Sequence, residues 1–190
     1  MQTHTFLMMG APGSGKGTQA KLLAEKIGGR VYSSGSRLRE MAASGSYFGK
    51  RAAAVMAAGD LMPIWTSQYL FEEALLGLEP ADGIVFEGSC RIEEEARRFH
   101  EVVEWLGRPY TAIYLEASEE GLKERILKRQ GIEGRADDAA SALDERFEKF
   151  RTLTLKSIEY FKNEGSLVVI NGEQPVEKVH EDILKALKLS

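Results

Sequence analysis

The feature that most constrains the fold is a glycine-rich segment between an apolar run and a stretch with helical periodicity. Thr5–Met9 is short and apolar, as expected of a buried parallel strand. The next nine residues, Gly10–Thr18, are Gly-Ala-Pro-Gly-Ser-Gly-Lys-Gly-Thr, and apolar residues then recur at helical spacing over 15–27. A strand, a glycine-rich loop and a helix in this order predict a P-loop, which is a backbone cradle for phosphate groups.

Two properties of this loop suit a nucleoside triphosphate. Its glycines allow several backbone amides to point at one phosphate, and the helix start adds about half a positive charge. Lys16 supplies a full positive charge for the β and γ oxygens. A glycine-rich turn with an incidental lysine is the alternative, which the order of strand, loop and helix disfavours. The residues predicted to bind the triphosphate are Gly13, Ser14, Gly15, Lys16, Gly17 and Thr18.

The rest of the chain alternates between short apolar runs and helical stretches. Further strands are predicted at 31–33, 83–86, 110–115 and 167–170. Helices are predicted at 36–43, 49–58, 65–76, 92–106, 119–128, 139–163 and 176–187, with a loop at 130–135. This alternation predicts an α/β fold, namely a doubly wound five-stranded parallel sheet with helices on both faces.

Length and composition restrict the class of protein. A chain of 190 residues with 43% hydrophobic and 28% charged residues fits one soluble globular domain. The net charge of -4 gives no bulk attraction to nucleic acid or to an anionic membrane, so a phosphate site must be built locally. Cys90 is the only cysteine, which excludes an internal disulfide and a cysteine-based zinc site. We expect a monomeric, cytoplasmic protein without nucleic-acid or membrane partners.

The loop departs from the general P-loop pattern in one position. Gly17 stands where that pattern has Ser or Thr, and Thr18 follows one residue later. The run from Gly10 to Gln19 resembles the adenylate kinase family and its close nucleoside monophosphate kinase relatives, in which the shifted threonine is normal. The resemblance implies a single P-loop kinase domain that transfers the γ-phosphoryl group of Mg-ATP to a nucleoside monophosphate, most readily AMP. It implies a core of 1–32, 64–128 and 139–190, an acceptor-binding insertion near 33–63, and a short lid near 129–138.

Two further segments resemble the part of the family that binds the acceptor. The segment 33–39 resembles the opening of the monophosphate-binding insertion, and Arg39 is implied to bind the acceptor phosphate. The segment 86–91 is similar to the family's Asp-Gly-Phe-Pro-Arg element, so Arg91 is implied to bind the same phosphate. Glu87 stands in the place of the Asp and is implied to hold Mg²⁺ through a water molecule. The residues implied to contact the acceptor are Ser34, Leu38, Arg39, Met56, Met62, Gly88, Arg91, Glu95, Arg135 and Arg146.

The region from 128 to 147 resembles the lid of short-lid family members and the helix that follows it. The resemblance implies that Arg129, Arg135 and Arg146 converge on the transferred phosphoryl group. A single arginine on a helix is usually a solvated surface residue, but five arginines in family order weigh against that reading. The implied catalytic residues are Lys16, Arg91, Arg129, Arg135 and Arg146. Arg129 and Arg135 are also implied to contact ATP, and the lid lacks cysteines for zinc.

These residue types suit phosphoryl transfer between two polyanions. Such a reaction demands positioning and charge stabilisation, and the planar guanidinium group of arginine can bridge two phosphates. A covalent nucleophile is not required. We therefore expect no catalytic role for His4, His100, His180 or Cys90. Two flaps, the insertion and the lid, are expected to exclude water on closing.

The acceptor base is the open question of the sequence. Glu95 stands where adenylate kinases carry an adenine-binding Gln, seven residues after Gly88. A Gln donates to adenine N1 and accepts from N6, whereas an ionised Glu only accepts and suits the N1–H and N2–H₂ donors of guanine. Glu95 also ends an acidic run at a helix start, where a solvated role favoured by the helix dipole is the alternative. AMP is the expected acceptor, and GMP or another monophosphate is the alternative.

A different class of function is also open. The altered residues Ser89, Cys90 and Glu95 would suit a module that binds nucleotides without turnover. The retained lysine and arginines argue against it, because the lid arginines act mainly in the transition state. Outside the site, Trp65 and Trp105 are expected in the core.

Overall fold

The computed structural model describes residues 5–133 and 140–189, except for the side chains of 127–133 and 140–141. The described residues form a five-stranded sheet with the strand order β2-β3-β1-β4-β5, and every pairing is parallel. The strands are β1 (Thr5–Gly10), β2 (Arg30–Ser33), β3 (Ile84–Glu87), β4 (Tyr110–Glu116) and β5 (Leu167–Asn171). The predicted α/β fold with a five-stranded parallel sheet is confirmed.

Helices connect the strands and cover both faces of the sheet. They are α1 (Lys16–Lys26), α2 (Ser34–Ala43), α3 (Tyr47–Ala57), α4 (Ile64–Leu76), α5 (Glu93–Trp105), α6 (Glu119–Glu133), α7 (Ala140–Lys149), α8 (Leu155–Asn163) and α9 (Val176–Ala186). Two of them, α2 and α3, pack together in the region predicted as the insertion. Within the described ranges, no helix is both long and apolar enough to cross a membrane.

The central strand β1 is buried on both sides, which explains its uninterrupted apolar sequence. Leu7 and Met9 belong to a core that includes residues of α4, α5 and α8. Phe6 and Met8 alternate with them and belong to a second core under α1 and α9. The helices of the two cores thus lie on opposite faces, as the doubly wound arrangement requires.

This topology brings two turns together at one edge of the sheet. All five strands end at the same edge, and β1 pairs directly with β3, with Met8 opposite Glu87. The loop after β1 is the predicted P-loop, and the turn after β3 is the segment predicted to bind the acceptor. In open α/β sheets ligands bind outside the carboxyl ends of the strands, so this edge is the expected site.

Two of the helix predictions are wrong in detail. The loop predicted at 130–135 is helical as far as Glu133, because one internal glycine costs only about 1 kcal/mol and the flanking residues favour a helix. The remainder of that loop, from Gly134, lies outside the described residues. The single helix predicted over 139–163 is interrupted between α7 and α8 by a π-helical turn, Phe150–Thr154. Apolar periodicity did not show this turn, because it adds only one residue to the pattern.

The expectation that both tryptophans lie in the core is also wrong. The exposed fraction is 62% for Trp65 and 82% for Trp105. The buried stripe of α4 runs through Thr66, Leu70 and neighbouring residues, which places Trp65 outside it. Among the aromatic ring pairs of the described region, Trp65 takes part in one, an edge-on contact with Phe48.

Candidate active site

The loop after β1 has the backbone geometry expected of a P-loop. Gly13 has a φ of 81°, in the left-handed region that favours glycine. A Cβ atom at Gly13 would lie 2.9 Å from the side chain of Ile126 and 3.0 Å from the carbonyl oxygen of Leu122. The loop is therefore pressed against α6, and its conformation depends on the absence of a side chain there.

Lys16 opens helix α1 and folds back over the loop. Its Nζ atom donates to the carbonyl oxygen of Ala11 at 2.8 Å and lies 3.4 Å from Ser14 Oγ. The ammonium group is therefore held at the mouth of the loop, where a phosphate would be enclosed. The six predicted triphosphate-binding residues, 13–18, occupy this loop and the first turn of α1.

Glu87 ends strand β3 beside the loop and is held as a carboxylate. The hydroxyl of Ser33 donates to its Oε2 atom at 2.7 Å. Burial alone would raise the pKa of Glu87, but Lys16, then the Ser33 hydroxyl and the guanidinium groups of Arg91 and Arg39, together lower that pKa below its ordinary value. An ionised carboxylate in this position is suited to a hydrated cation.

One cavity contains the predicted acceptor residues. It is lined by Ser34, Leu38, Arg39, Met56, Met62, Glu87, Gly88, Arg91, Glu95 and Arg146. We call it the acceptor cavity. The structure thus brings together every predicted acceptor residue whose side chain it describes, and their individual roles stay predictions. Arg129 lies in α6 without a described side chain, and Arg135 lies outside the described residues.

A second cavity adjoins the first and is lined by Gly10, Pro12 and Lys16 of the P-loop. We call it the P-loop cavity. Arg91 and Arg146 line both cavities, so these two residues lie where the cavities meet. Cations at this junction would contact phosphates bound on either side.

The turn after β3 is strained at Cys90. This residue is fully buried and has a φ of 57°, which is unusual for a residue other than glycine. The family element has Pro here, and proline is locked near a φ of about −65°. The turn that carries Arg91 therefore has a backbone conformation that a proline could not adopt.

Glu95 lies in the wall of the acceptor cavity and is only 3% exposed. The alternative of a solvated side chain is therefore wrong for this residue. Its Oε2 atom accepts a hydrogen bond from the backbone N–H of Arg91 at 2.8 Å, two residues before α5 begins. Burial raises the pKa of Glu95, against the hydrogen bonds from Arg91, Ser67 and Ile92, which lower it. Its role toward the base stays a prediction.

Sequence reasoning missed several residues of the site. Ser33 binds Glu87, and Ser67 lines the acceptor cavity beside Glu95. Lys149 lines the P-loop cavity and forms ion pairs with Asp60 and Glu145. Lys149 lies three residues after Arg146 and therefore on the same helix face, a spacing that could have revealed it. No local signal marks the two serines.

A P-loop beside a second cavity, with arginines at their junction, is the arrangement of a phosphoryl-transferring enzyme. The family model described as adenylate kinase matches residues 8–166. The chain is 33% identical over 181 residues to adenylate kinase isoenzyme 1 of Cyprinus carpio, covering 95% of this chain and 92% of that protein. It is 33% identical to an adenylate kinase of Stenotrophomonas maltophilia (strain R551-3), covering 96% and 98%, and 30% identical to adenylate kinase isoenzyme 1 of Homo sapiens, covering 98% and 97%. The chain belongs to the adenylate kinase family, which confirms the resemblance and the predicted phosphotransferase class.

Proposed function

We propose that this protein transfers the γ-phosphoryl group of ATP to AMP and forms two molecules of ADP. The observation that carries the proposal is the position of Arg91 and Arg146, which line both the P-loop cavity and the acceptor cavity. Donor and acceptor phosphates bound in the two cavities would meet at these guanidinium groups. Family membership supports the same reaction, because the relatives above are named adenylate kinases.

The donor side would be bound by the P-loop. Its amides and Lys16 would bind the β and γ phosphates, with Thr18 on the first turn of α1. Mg²⁺ fits beside Glu87, since Mg²⁺ prefers oxygen ligands and usually keeps several waters. The lowered pKa of Glu87 keeps that carboxylate ionised at neutral pH. When bound with ATP, Mg²⁺ would neutralise charge on the phosphate oxygens.

The acceptor side would bind AMP between charged and apolar walls. Arg39 and Arg91 would bind its phosphate, with Arg39 held by a hydrogen bond to Ser36 Oγ at 3.1 Å. Leu38, Met56 and Met62 line the same cavity and would pack against the base. With these contacts the acceptor phosphate would lie toward the junction with the P-loop cavity.

The chemical step would need no general base, because an oxygen of the acceptor phosphate is already ionised. That oxygen attacks the γ phosphorus, the bond from this phosphorus to the bridging β–γ oxygen breaks, and the electron pair stays on the β phosphate. Arg91 and Arg146 would stabilise charge on the transferred group, and Lys16 would stabilise the leaving phosphate. Arg129 and Arg135 would join them from the lid, as the family resemblance implies.

GMP is the second candidate acceptor, and the position of Glu95 in the wall of the acceptor cavity favours it. An ionised carboxylate would accept hydrogen bonds from guanine. AMP stays the first candidate, because the relatives above are named adenylate kinases.

A coupled assay of diphosphate formation tests the proposal with ATP and each of AMP, GMP, IMP, CMP, UMP and dTMP. We expect the highest kcat/KM with AMP. A preference for GMP would establish the second candidate instead. An absence of transfer to every acceptor, in a protein that still binds ATP, would show a binding module without turnover.

We further propose that the protein acts as a monomer in the cytoplasm. Residues of a single chain line both cavities, so the reaction does not call for a second subunit. Multi-angle light scattering of the purified protein at micromolar concentration should give a mass near 21.1 kDa. A dimeric mass would contradict this proposal and leave the proposed reaction unaffected.

A further inference from the structure

The turn that carries Arg91 is held by side chains on both of its flanks. Glu95 Oε2 accepts from the Arg91 N–H at 2.8 Å, and Thr154 Oγ1 donates to the Arg91 carbonyl oxygen at 2.9 Å. One residue earlier, Ser157 Oγ donates to the carbonyl oxygen of Cys90 at 2.7 Å. Side chains from outside the turn, those of Glu95 and Thr154, therefore satisfy both the N–H and the carbonyl group of Arg91. Two of the three side chains, Thr154 at the end of the π-helical turn and Ser157 in α8, follow Arg146 along the same helical segment.

The π-helical turn places these hydroxyls. Each residue of an α-helix turns the chain by about 100°, so Arg146 and Thr154 would point about 80° apart on an unbroken helix. A π turn takes up one extra residue, which reduces the difference to about 20°. Arg146 and Thr154 accordingly line the same P-loop cavity. The turn Phe150–Thr154 thus lets one helical segment present Arg146 to the cavity and Thr154 to the Arg91 carbonyl.

The turn needs such support because its conformation is costly. Cys90 has a φ of 57°, and a left-handed conformation costs roughly 1–2 kcal/mol for a residue other than glycine. Cys90 and Ser157 are both fully buried. Removing the Ser157 hydroxyl would therefore take a hydrogen-bond donor away from the buried Cys90 carbonyl, which is destabilising. Arg91 itself is held close to the turn by a bond from its Nε atom to the Gly88 carbonyl oxygen at 3.0 Å. A shift of the turn would therefore move the guanidinium group.

We propose that Thr154 and Ser157 are positioning residues for Arg91. They hold the backbone on either side of it, so that its guanidinium group meets the acceptor phosphate. This proposal rests on the proposed function, in which Arg91 binds that phosphate. It gives the π-helical turn a function, because only the extra residue brings Thr154 to this place.

The test compares two hydroxyl removals with a matched control. Thr154→Val is nearly isosteric and removes the bond to the Arg91 carbonyl, and Ser157→Ala removes the bond to Cys90. Thr152→Val is the control, because Thr152 lies in the same π turn, is exposed, and donates only to its own helix at the Glu148 carbonyl among the bonds of the described region. Steady-state kinetics are measured with AMP and ATP varied separately, together with the thermal midpoint of each variant.

We expect Thr154→Val and Ser157→Ala to raise the KM for AMP about tenfold, with the KM for ATP within about twofold of wild type. Thr152→Val should leave both KM values unchanged. Thr154→Ser, which keeps the hydroxyl, should restore the KM for AMP to within about twofold. In an Arg91→Ala background, Thr154→Val should cause little further loss of kcat/KM for AMP, because the residue acts through Arg91.

Unchanged KM values for AMP in folded Thr154→Val and Ser157→Ala proteins would overturn the proposal, whatever their thermal midpoints. Equal increases in the KM for AMP and for ATP would also overturn it, because they would indicate a general structural role. The proposed function is judged separately by wild-type turnover. If wild type uses GMP rather than AMP, the same series with GMP decides the proposal. If wild type uses no monophosphate, the proposed function and this proposal both fail.

Discussion

Replacing Gly13 by alanine tests whether the P-loop depends on its contact with α6. At Gly13 the φ of 81° costs an alanine roughly 1–2 kcal/mol. The added Cβ would also lie 3.0 Å from the Leu122 carbonyl oxygen, a backbone atom, and 2.9 Å from Ile126, which adds roughly 1–3 kcal/mol of overpacking. At about 2–4 °C per kcal/mol for a domain of this size, the combined cost of about 2–5 kcal/mol should lower the thermal midpoint by about 4–20 °C.

Gly15→Ala is the matched control for this prediction. Gly15 has a φ of 88°, but a Cβ there would meet no atom within 4 Å. Only the conformational cost applies, so its thermal midpoint should fall by about 2–8 °C. Differential scanning calorimetry compares Gly13→Ala, Gly15→Ala and wild type under identical conditions. Equal midpoints for the two variants would refute the argument that packing against α6 fixes the loop.

Three further predictions concern charged side chains of the site. Lys16→Met should lower kcat at least about a thousandfold in the coupled assay while circular dichroism stays native, because it removes the charge facing the β and γ phosphates; retained activity would contradict that role. Glu87→Gln should make the free energy of unfolding depend less on pH in the acid range. The lowered pKa of Glu87 stabilises the wild-type fold above the ordinary value of 4.5, and this contribution is lost as the pH falls below that value. Urea titrations toward lower pH should therefore show the loss in wild type alone, and parallel curves for the two proteins would contradict the prediction. Glu95→Gln should raise kcat/KM for AMP, and no gain would show that the residue does not contact the base.

The strands, the P-loop and the cavity residues could be predicted because their signals are local or fixed by family order. The run Thr5–Met9 is apolar since β1 is buried on both faces, and this pattern alone predicted a buried parallel strand. The acceptor arginines Arg39 and Arg91 lie far apart in sequence, and only their order along the family pattern brought them together in the prediction. Spacing and composition do not indicate that these two arginines line the same cavity.

The parts that could not be predicted depend on distant contacts. The π-helical turn Phe150–Thr154 shifts the helical register by one residue, and Thr154 at its end donates to the Arg91 carbonyl in the turn after β3. Trp65 was expected inside because large apolar residues are usually buried, but the buried stripe of α4 is already filled by other residues. To predict that Glu95 is buried, one would have to know to within one residue that α5 begins at Glu93. Apolar periodicity does not define a helix end that finely.

Glu95 connects the two halves of acceptor binding. Its Oε2 atom holds the backbone of Arg91, which is proposed to bind the acceptor phosphate, while the same side chain lines the cavity proposed for the base. A glutamine in its place keeps a carbonyl oxygen for the Arg91 N–H and gains a donor for adenine. An alanine would lose both functions at once. Comparing Glu95→Gln with Glu95→Ala therefore separates base recognition from support of Arg91: the first should change the preference between AMP and GMP, and the second should weaken binding of either monophosphate.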